Sequence, residues 1–137
     1  MVRILGSLLA LFVALIIVFL LGSSFLISSD LKRGDLYDKY RNDTSFLYRI
    51  ESGANLHIRE EGNCTGPPLI LLHGAYASVH AWEPWVDELG DKFRLISFDL
   101  PGYGLTGATP AGDYSRANMS RMLDQIMRLM KLERAVI

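Results

Sequence analysis

Cysteine is almost missing from this sequence: Cys64 is the single cysteine among 137 residues. One thiol cannot form an internal disulfide, and it cannot supply a cysteine cluster for a metal. A lone cysteine acts as a nucleophile only with a base beside it, and no such base can be assigned from the sequence. We therefore expect a buried or inert thiol at Cys64, and no metal site.

Positive charge is also scarce where a nucleic-acid-binding protein would need it. The first 29 residues contain one charged side chain, Arg3, and the rest of the chain carries the other 13 Lys and Arg residues against 15 Asp and Glu. The basic residues form no stripe, which is the electrostatic feature that binding to a phosphate backbone requires. The composition therefore argues against nucleic acid as a partner.

Residues 4–27 contain no charged side chain and are rich in Leu, Ile, Val and Phe. A helix rises about 1.5 Å per residue, so roughly 20 apolar residues span the hydrocarbon core of a bilayer. The run predicts a transmembrane helix that contacts lipid through residues 4–27, within an N-terminal anchor at residues 1–29. A cleavable signal peptide is the alternative, since residues 8–21 approach the length of its apolar region and residues 22–24 are small.

After a polar juxtamembrane linker at residues 30–45, segments of strand and helix periodicity alternate. Two short runs of alternating apolar and polar residues flank Ser52-Gly53-Ala54-Asn55, which predicts a β-hairpin. Continuous apolar runs predict buried strands, and Ser115 is a typical N-cap before a helical stripe of apolar residues. The predicted order is hairpin 46–59, strand 69–72, helix 79–89, strand 93–98, a helix after Ser115, and a strand from 134.

This alternation of strands and helices predicts an α/β fold with parallel strands joined by right-handed crossovers. In such sheets the ligand binds at the carboxyl ends of the strands. Residues 73–82 and residues 99–107 are the two loops in that position. We therefore expect these two loops to carry the chemistry.

The first loop begins with His73 and Gly74, directly after a predicted strand. Glycine lets the backbone turn sharply and brings the next N–H groups close to a ligand. Leu-Leu-His-Gly, with Trp82 nine positions after the histidine, resembles the oxyanion loop of the α/β-hydrolase fold family. The resemblance implies that the backbone N–H of Ala75 is an oxyanion-hole donor, and that Gly74, Tyr76 and Trp82 bind substrate. Trp82 fits the core of the following helix equally well.

The second loop reads Asp99-Leu100-Pro101-Gly102-Tyr103-Gly104 and resembles the Asp-x-Pro-Gly-x-Gly turn of the same family. The resemblance implies a structural turn near the pocket, and it gives His73 of the first loop a structural role as well. The turn residues are Asp99, Pro101, Gly102 and Gly104.

The same glycines, continued by Gly107, also match the dinucleotide-binding fingerprint. That fingerprint functions only when its glycines open a helix whose N-terminus holds the pyrophosphate. Here Pro110 and Gly112 come before the helix, which starts only near Ser115. The sequence therefore argues against a nicotinamide cofactor.

The two loops, the separation of His73 from Asp99 and the helix before Ala135 make residues 46–137 similar to the N-terminal half of an α/β-hydrolase. The resemblance implies a hydrolase of ester or related acyl bonds that uses serine, histidine and an acid, without a cofactor. The nucleophile elbow Gly-x-Ser-x-Gly is absent from the chain. In the family it follows the strand that begins here at Ala135. We therefore expect the nucleophile, the acid and the catalytic histidine to lie beyond this chain, which alone is expected to be inactive.

The anchor and the linker add a likeness to bacterial α/β-hydrolases with an N-terminal membrane segment. The basic residues that follow the apolar run favour the cytoplasm for the C-terminal side. One basic residue before an apolar run is instead typical of exported chains. We expect the hydrolase part on the exported, periplasmic side, because the layout resembles the signal-anchors of bacterial envelope hydrolases.

Two alternatives stay open. Haloalkane dehalogenases and epoxide hydrolases use an aspartate nucleophile on the same fold, but the former typically carry Asn at the position of Ala75 and the latter Pro at the position of Tyr76. The other alternative is a non-catalytic, membrane-anchored fragment. His57 and His80 are not expected to be the catalytic base, because in this fold the histidine follows the nucleophile and the acid.

Overall fold

The fold is taken from a computed structural model that describes residues 2–26 and 31–137. The chain divides into two compact units, residues 1–32 and residues 33–137. The first contains one helix, and the second contains three helices and four strands in the described residues. Their bounds are α1 Val2–Leu26, α2 Arg33–Tyr40, β1 Ser45–Arg49, β2 Asn55–Gly62, β3 Pro68–Leu72, α3 Glu83–Leu89, β4 Arg94–Phe98 and α4 Arg116–Leu129.

In the first unit, the large apolar side chains of α1 from Leu11 to Leu21 are exposed. Among the described residues, no helix combines the length and the apolar character needed to cross a membrane. The structure therefore does not support the predicted transmembrane helix. The boundary that we expected between anchor and linker, at residues 29 and 30, lies outside the described residues.

The second unit is built on a mixed four-stranded sheet in the order β1-β2-β4-β3. β1 and β2 form the predicted hairpin, with Phe46 opposite Ile58. β2 runs antiparallel to β4, and β3 runs parallel to β4 with Ile70 opposite Ile96. The parallel pair joined through α3 confirms the α/β class.

The core of this unit lies between the sheet and α4. Ser115 caps α4 as predicted, because its hydroxyl accepts a hydrogen bond from the Asn118 N–H at 3.3 Å. The apolar stripe of α4 then packs on the sheet, where each fully buried aliphatic side chain contributes about 1.5–3 kcal/mol. The buried members of the core are Ile50, Ala54, Leu56, Ile58, Ile70, Ile96, Phe98, Met122, Ile126 and Met130.

Two further segments follow the predicted pattern with small differences. Residues 79–89 form one turn of 3₁₀ helix and then α3, which carries Pro84 in its first turn, where the missing N–H costs nothing. Beyond α4, Val136 pairs in parallel with Leu69, on the edge of β3 opposite β4. The strand expected from residue 134 is thus present as a single bridge.

Two features differ from the sequence-based expectation. The predicted linker contains α2, whose eight residues show too few apolar positions to predict a helix. α2 covers β2: the Tyr37 ring lies edge-on to His57, with centroids 6.1 Å apart, and the Tyr40 carbonyl accepts a hydrogen bond from Arg59 at 3.1 Å. Cys64 is exposed, so the thiol is not buried, and its inertness stays a prediction.

Candidate active site

Asp99 follows β4 directly and connects the first loop, the second loop and β2 through hydrogen bonds. Its Oδ1 accepts a hydrogen bond from the Val79 N–H, and its Oδ2 accepts from the Leu105 N–H and from His57 Nδ1, each at 2.8 Å. Burial is the largest influence on the pKa of Asp99 and raises it, but these hydrogen bonds together outweigh burial and hold the pKa below its usual value. Asp99 is therefore an ionised carboxylate at neutral pH.

His73 connects the two loops. Its Nδ1 lies 2.8 Å from the Gly74 carbonyl, and its Nε2 accepts a hydrogen bond from the Leu100 N–H at 2.9 Å. The first contact requires the proton on Nδ1 and the second requires a lone pair on Nε2, so the network assigns one tautomer. The His73 side chain therefore links the two loops by hydrogen bonds.

The glycines of the second loop are needed for close packing. Gly104 has a left-handed φ of +45°, and a Cβ at this position would collide with the Asp99 carboxylate. Gly102 has a φ of +91°, and a Cβ there would lie 3.3 Å from the Tyr114 ring. The Asp-x-Pro-Gly-x-Gly pattern therefore lets the loop fold over its own aspartate.

Gly104→Ala should destabilise the second unit by about 1–3 kcal/mol, since it adds left-handed strain and displaces the Asp99 carboxylate. Gly74→Ala is the matched control, because a Cβ at Gly74 would meet no atom within 4 Å. We expect the control to change stability by less than about 0.5 kcal/mol. Urea denaturation followed by circular dichroism measures both, and equal losses would contradict the packing role of Gly104.

The first loop turns differently from our expectation. Gly74 is not left-handed; the left-handed residue of this loop is Tyr76, with a φ of +60° and a side chain that is 100% exposed. A left-handed conformation at a residue other than glycine costs on the order of 1–3 kcal/mol and is found most often at functional sites. The sharp turn therefore depends on Tyr76 rather than on Gly74.

Ala75 is exposed within this turn. Its backbone N–H donates to no acceptor in the part of the chain that the structure describes. Because β3 and β4 are parallel, this N–H lies at the same edge of the sheet as the second loop. An unpartnered N–H of an exposed residue at this edge is free to donate to a ligand oxygen.

A cavity of about 240 Å³ lies beside the two loops and under α2. Trp82 lies outside this cavity and packs edge-on against Trp85, with ring centroids 6.0 Å apart. Gly74 and Tyr76 do not line it either. A larger depression of about 550 Å³ lies between the hairpin and α4, away from both loops. The residues lining the smaller cavity are Leu36, Tyr40, Ser78, His80, Asp99, Gly104 and Leu105.

A second polar cluster surrounds the start of α3. Arg59 is 2% exposed, and its Nη1 lies 3.2 Å from Oε1 of Glu83, which also lies 2.7 Å from His80 Nδ1. The hydrogen bonds from His80 and then from Arg59 hold the pKa of Glu83 below its usual value. This cluster attaches α3 to β2.

His57 is the residue whose surroundings the sequence did not predict. It is fully buried on β2, and it contacts Asp99 through Nδ1 and Ser45 Oγ through Nε2, the latter at 3.0 Å. The antiparallel pairing of β2 with β4 brings His57 beside Asp99, although 42 positions separate them in the chain. No local motif indicates such a contact, because it depends on strand register.

Known proteins are similar to this chain in sequence or in fold. A pimeloyl-[acyl-carrier protein] methyl ester esterase of Legionella pneumophila (strain Paris) is 36% identical over 72 residues, which are 53% of this chain and 28% of that protein. A hydrolase from Pseudomonas aeruginosa PA01 has the same fold, with a TM-score of 0.64 and 23% identity over 69% of this chain and 36% of the other. The Cif epoxide hydrolase from Acinetobacter nosocomialis gives a TM-score of 0.56 and 27% identity over 75% of this chain and 36% of the other.

The chain also matches a protein-family profile. The chain spans less than a third of the length of the Legionella esterase from strain Paris. The same holds for the esterase from a second Legionella pneumophila strain. The family profile described as alpha/beta hydrolase fold nevertheless matches residues 67–137, which include β3, β4, α4 and both loops. Since that match covers more than half of the chain, this protein belongs to the α/β-hydrolase fold family.

Proposed function

We propose that this chain is part of a hydrolase that cleaves ester or related acyl bonds, with a serine nucleophile, a histidine base and an acid outside these 137 residues. The observation that carries the proposal is the unpartnered N–H of the exposed residue Ala75 at the carboxyl edge of the sheet. Such a donor stabilises the negative charge that develops on a carbonyl oxygen during acyl transfer. The likeness to a methyl ester esterase supports the choice of esters.

The position of Val136 supports the same proposal. Val136 is paired in parallel with Leu69, next to β3. Paired parallel strands advance together by about 3.3 Å per residue, so a strand continuing from Val136 would draw level with His73 after about four residues. The family's nucleophile stands on the turn after this strand, and the N–H that follows it is the second oxyanion donor. A serine there would lie beside the N–H of Ala75.

An aspartate nucleophile is the second candidate, and the likeness to an epoxide hydrolase is the observation in its favour. Two positions argue against it. Ala75 lacks the side-chain amide that holds the halide in haloalkane dehalogenases, and Tyr76 stands where epoxide hydrolases typically carry proline. Both departures support serine chemistry.

The coding sequence after Ile137 tests the proposal together with an assay. We expect Gly-x-Ser-x-Gly shortly after residue 137, and we expect the full polypeptide to hydrolyse p-nitrophenyl butyrate until that serine is replaced by alanine. An aspartate at the serine position, with turnover of epoxides or haloalkanes, would establish the second candidate. A stop codon after residue 137, with no esterase activity, would refute both and favour a non-catalytic fragment.

We further propose that residues 4–27 associate with a lipid bilayer. The uncharged run and the exposed side chains of α1, among them Phe19 at 74%, support this proposal. Deletion of residues 1–29 should move the protein from the membrane fraction to the soluble fraction of lysed cells, because it removes the apolar helix. A full-length chain that is already soluble, or a mature N-terminus near Ser24, would contradict the proposal.

The last part of the proposal is that the hydrolase part lies on the exported side of the membrane. Cys64 offers a direct probe of that side. Cys64 is the single cysteine and it is exposed. If residues 33–137 lie on the exported side, a maleimide that cannot cross membranes should label Cys64 in intact cells. Cys64→Ala measures the background, and labelling only after lysis would assign these residues to the cytoplasm.

A further inference from the structure

Ser45, His57 and Asp99 form a continuous hydrogen-bonded chain at the hairpin edge of the sheet. Ser45 Oγ lies 3.0 Å from His57 Nε2, and His57 Nδ1 lies 2.8 Å from Asp99 Oδ2. These are the contacts between hydroxyl, imidazole and carboxylate that activate a serine in hydrolases, and they are recognised by geometry rather than by order along the chain. Here the order is Ser, His, Asp.

The hydrogen bonds around Ser45 and His57 define the path by which a proton passes between them. His57 Nδ1 donates to the Asp99 carboxylate, and Nε2 is the ring atom that faces Ser45 Oγ. In the structure the Ser45 hydroxyl donates to Asn42 Oδ1 at 2.9 Å, an oxygen that also accepts from the N–H and the hydroxyl of Thr44. Rotation about the Cβ–Oγ bond of Ser45 turns the hydroxyl proton from Asn42 Oδ1 to His57 Nε2, which lies 3.0 Å from Oγ.

The burial of the three residues differs in a way that suits a nucleophile. His57 and Asp99 are 0% and 1% exposed, and the Tyr37 ring packs edge-on against the imidazole. Ser45 is only partly buried, at the first position of the edge strand β1. The Asn42 N–H donates to Ser45 Oγ at 3.1 Å, which favours negative charge on that oxygen. The base and the acid are shielded from water, whereas Ser45 keeps part of its surface exposed.

We propose that Ser45 is a second nucleophilic serine, separate from the site at Ala75, and that it is acylated or phosphonylated by activated esters. β1 and β3 are separated by two strands, which is about 14 Å at the usual strand spacing. With a fluorophosphonate, Ser45 Oγ forms a bond to phosphorus and the bond from phosphorus to fluorine breaks. The hydroxyl proton passes to His57 Nε2, fluoride leaves, and Asp99 stabilises the imidazolium. The product is a covalent adduct, and the step needs no cofactor.

Labelling with a fluorophosphonate–biotin probe, followed by peptide mass spectrometry, tests the proposal on the full chain. We expect an adduct on Ser45 that forms at least about tenfold faster than any adduct on Ser120, which is exposed on α4 and has no histidine beside it. Ser45→Ala should abolish this adduct, and Ser120→Ala should leave its rate unchanged. Circular dichroism checks that each variant is folded.

His57→Gln separates activation from mere accessibility. Glutamine can still hydrogen-bond to its neighbours but cannot take the proton, so labelling of Ser45 should fall about 10²-fold or more. If His57→Gln does not fold, the comparison of Ser45 with Ser120 in the unaltered chain still decides the question. No adduct on Ser45, or rates at Ser45 and Ser120 that are equal, would overturn the proposal and leave the three residues a structural network. Neither result bears on the nucleophile expected after Ile137.

Discussion

Asp99→Ala should lower the free energy of unfolding of the second unit by about 3–5 kcal/mol, because each buried donor left without an acceptor costs about 1–3 kcal/mol. The substitution leaves three buried donors without an acceptor: the N–H groups of Val79 and Leu105, and His57 Nδ1. Such a loss is a large part of the 5–15 kcal/mol that stabilises a typical domain. Urea denaturation followed by circular dichroism measures it. Asp87→Ala, at an exposed position of α3, is the control and should cost less than about 1 kcal/mol.

Asp99→Asn keeps the shape of the side chain and removes its charge, which makes the pH dependence informative. Folding lowers the pKa of Asp99. The ionised carboxylate therefore makes its full contribution to the free energy of unfolding above the pKa of about 4 in the unfolded state. This contribution is lost as the pH falls through the lower pKa of the folded state. The difference in stability between the natural chain and Asp99→Asn should therefore be constant above about pH 5 and shrink in stronger acid. A difference that does not change with pH would show that Asp99 stabilises the fold by shape alone.

The elements of the second unit other than α2 were predictable because their signals are local. The hairpin follows from alternating residues on both sides of a turn, and the parallel strands follow from short, continuous apolar runs. Ser115 was recognisable as an N-cap because the capping contact joins residues three positions apart. Each of these patterns is complete within one segment of the sequence.

The candidate site was only partly predictable, because its contacts depend on register. The motif around Asp99 identified the loop, but nothing local indicated that Oδ2 would meet His57 of β2. Chain order alone argues against His57 as a base, although the sheet places it between a serine and a carboxylate. The left-handed turn at Tyr76 is unpredictable for another reason: glycine is the usual residue in that conformation, so the sequence favours Gly74 for the turn.

Ala75→Pro should reduce turnover of the full polypeptide by about 10²–10³-fold, the usual effect of losing one oxyanion donor. Proline lacks the backbone N–H, and Ala75 N–H has no acceptor in the described chain, so the folded state loses no hydrogen bond. The lost interaction exists mainly in the transition state, when the carbonyl oxygen becomes negative. The decrease should therefore appear in kcat, with little change in KM. Steady-state kinetics with p-nitrophenyl butyrate measure both constants.

Ala108→Pro is the matched control for that substitution. Ala108 is also exposed in a loop, and its N–H also has no acceptor among the described residues, but it belongs to neither the first loop nor the cavity. If general loop distortion were responsible, both proline variants would lose activity together. If the N–H of Ala75 is the donor, only Ala75→Pro loses kcat, and both variants unfold at similar urea concentrations. An unchanged kcat for Ala75→Pro would show that the Ala75 N–H is not an oxyanion donor. That result would remove the main support for acyl-transfer chemistry at this loop.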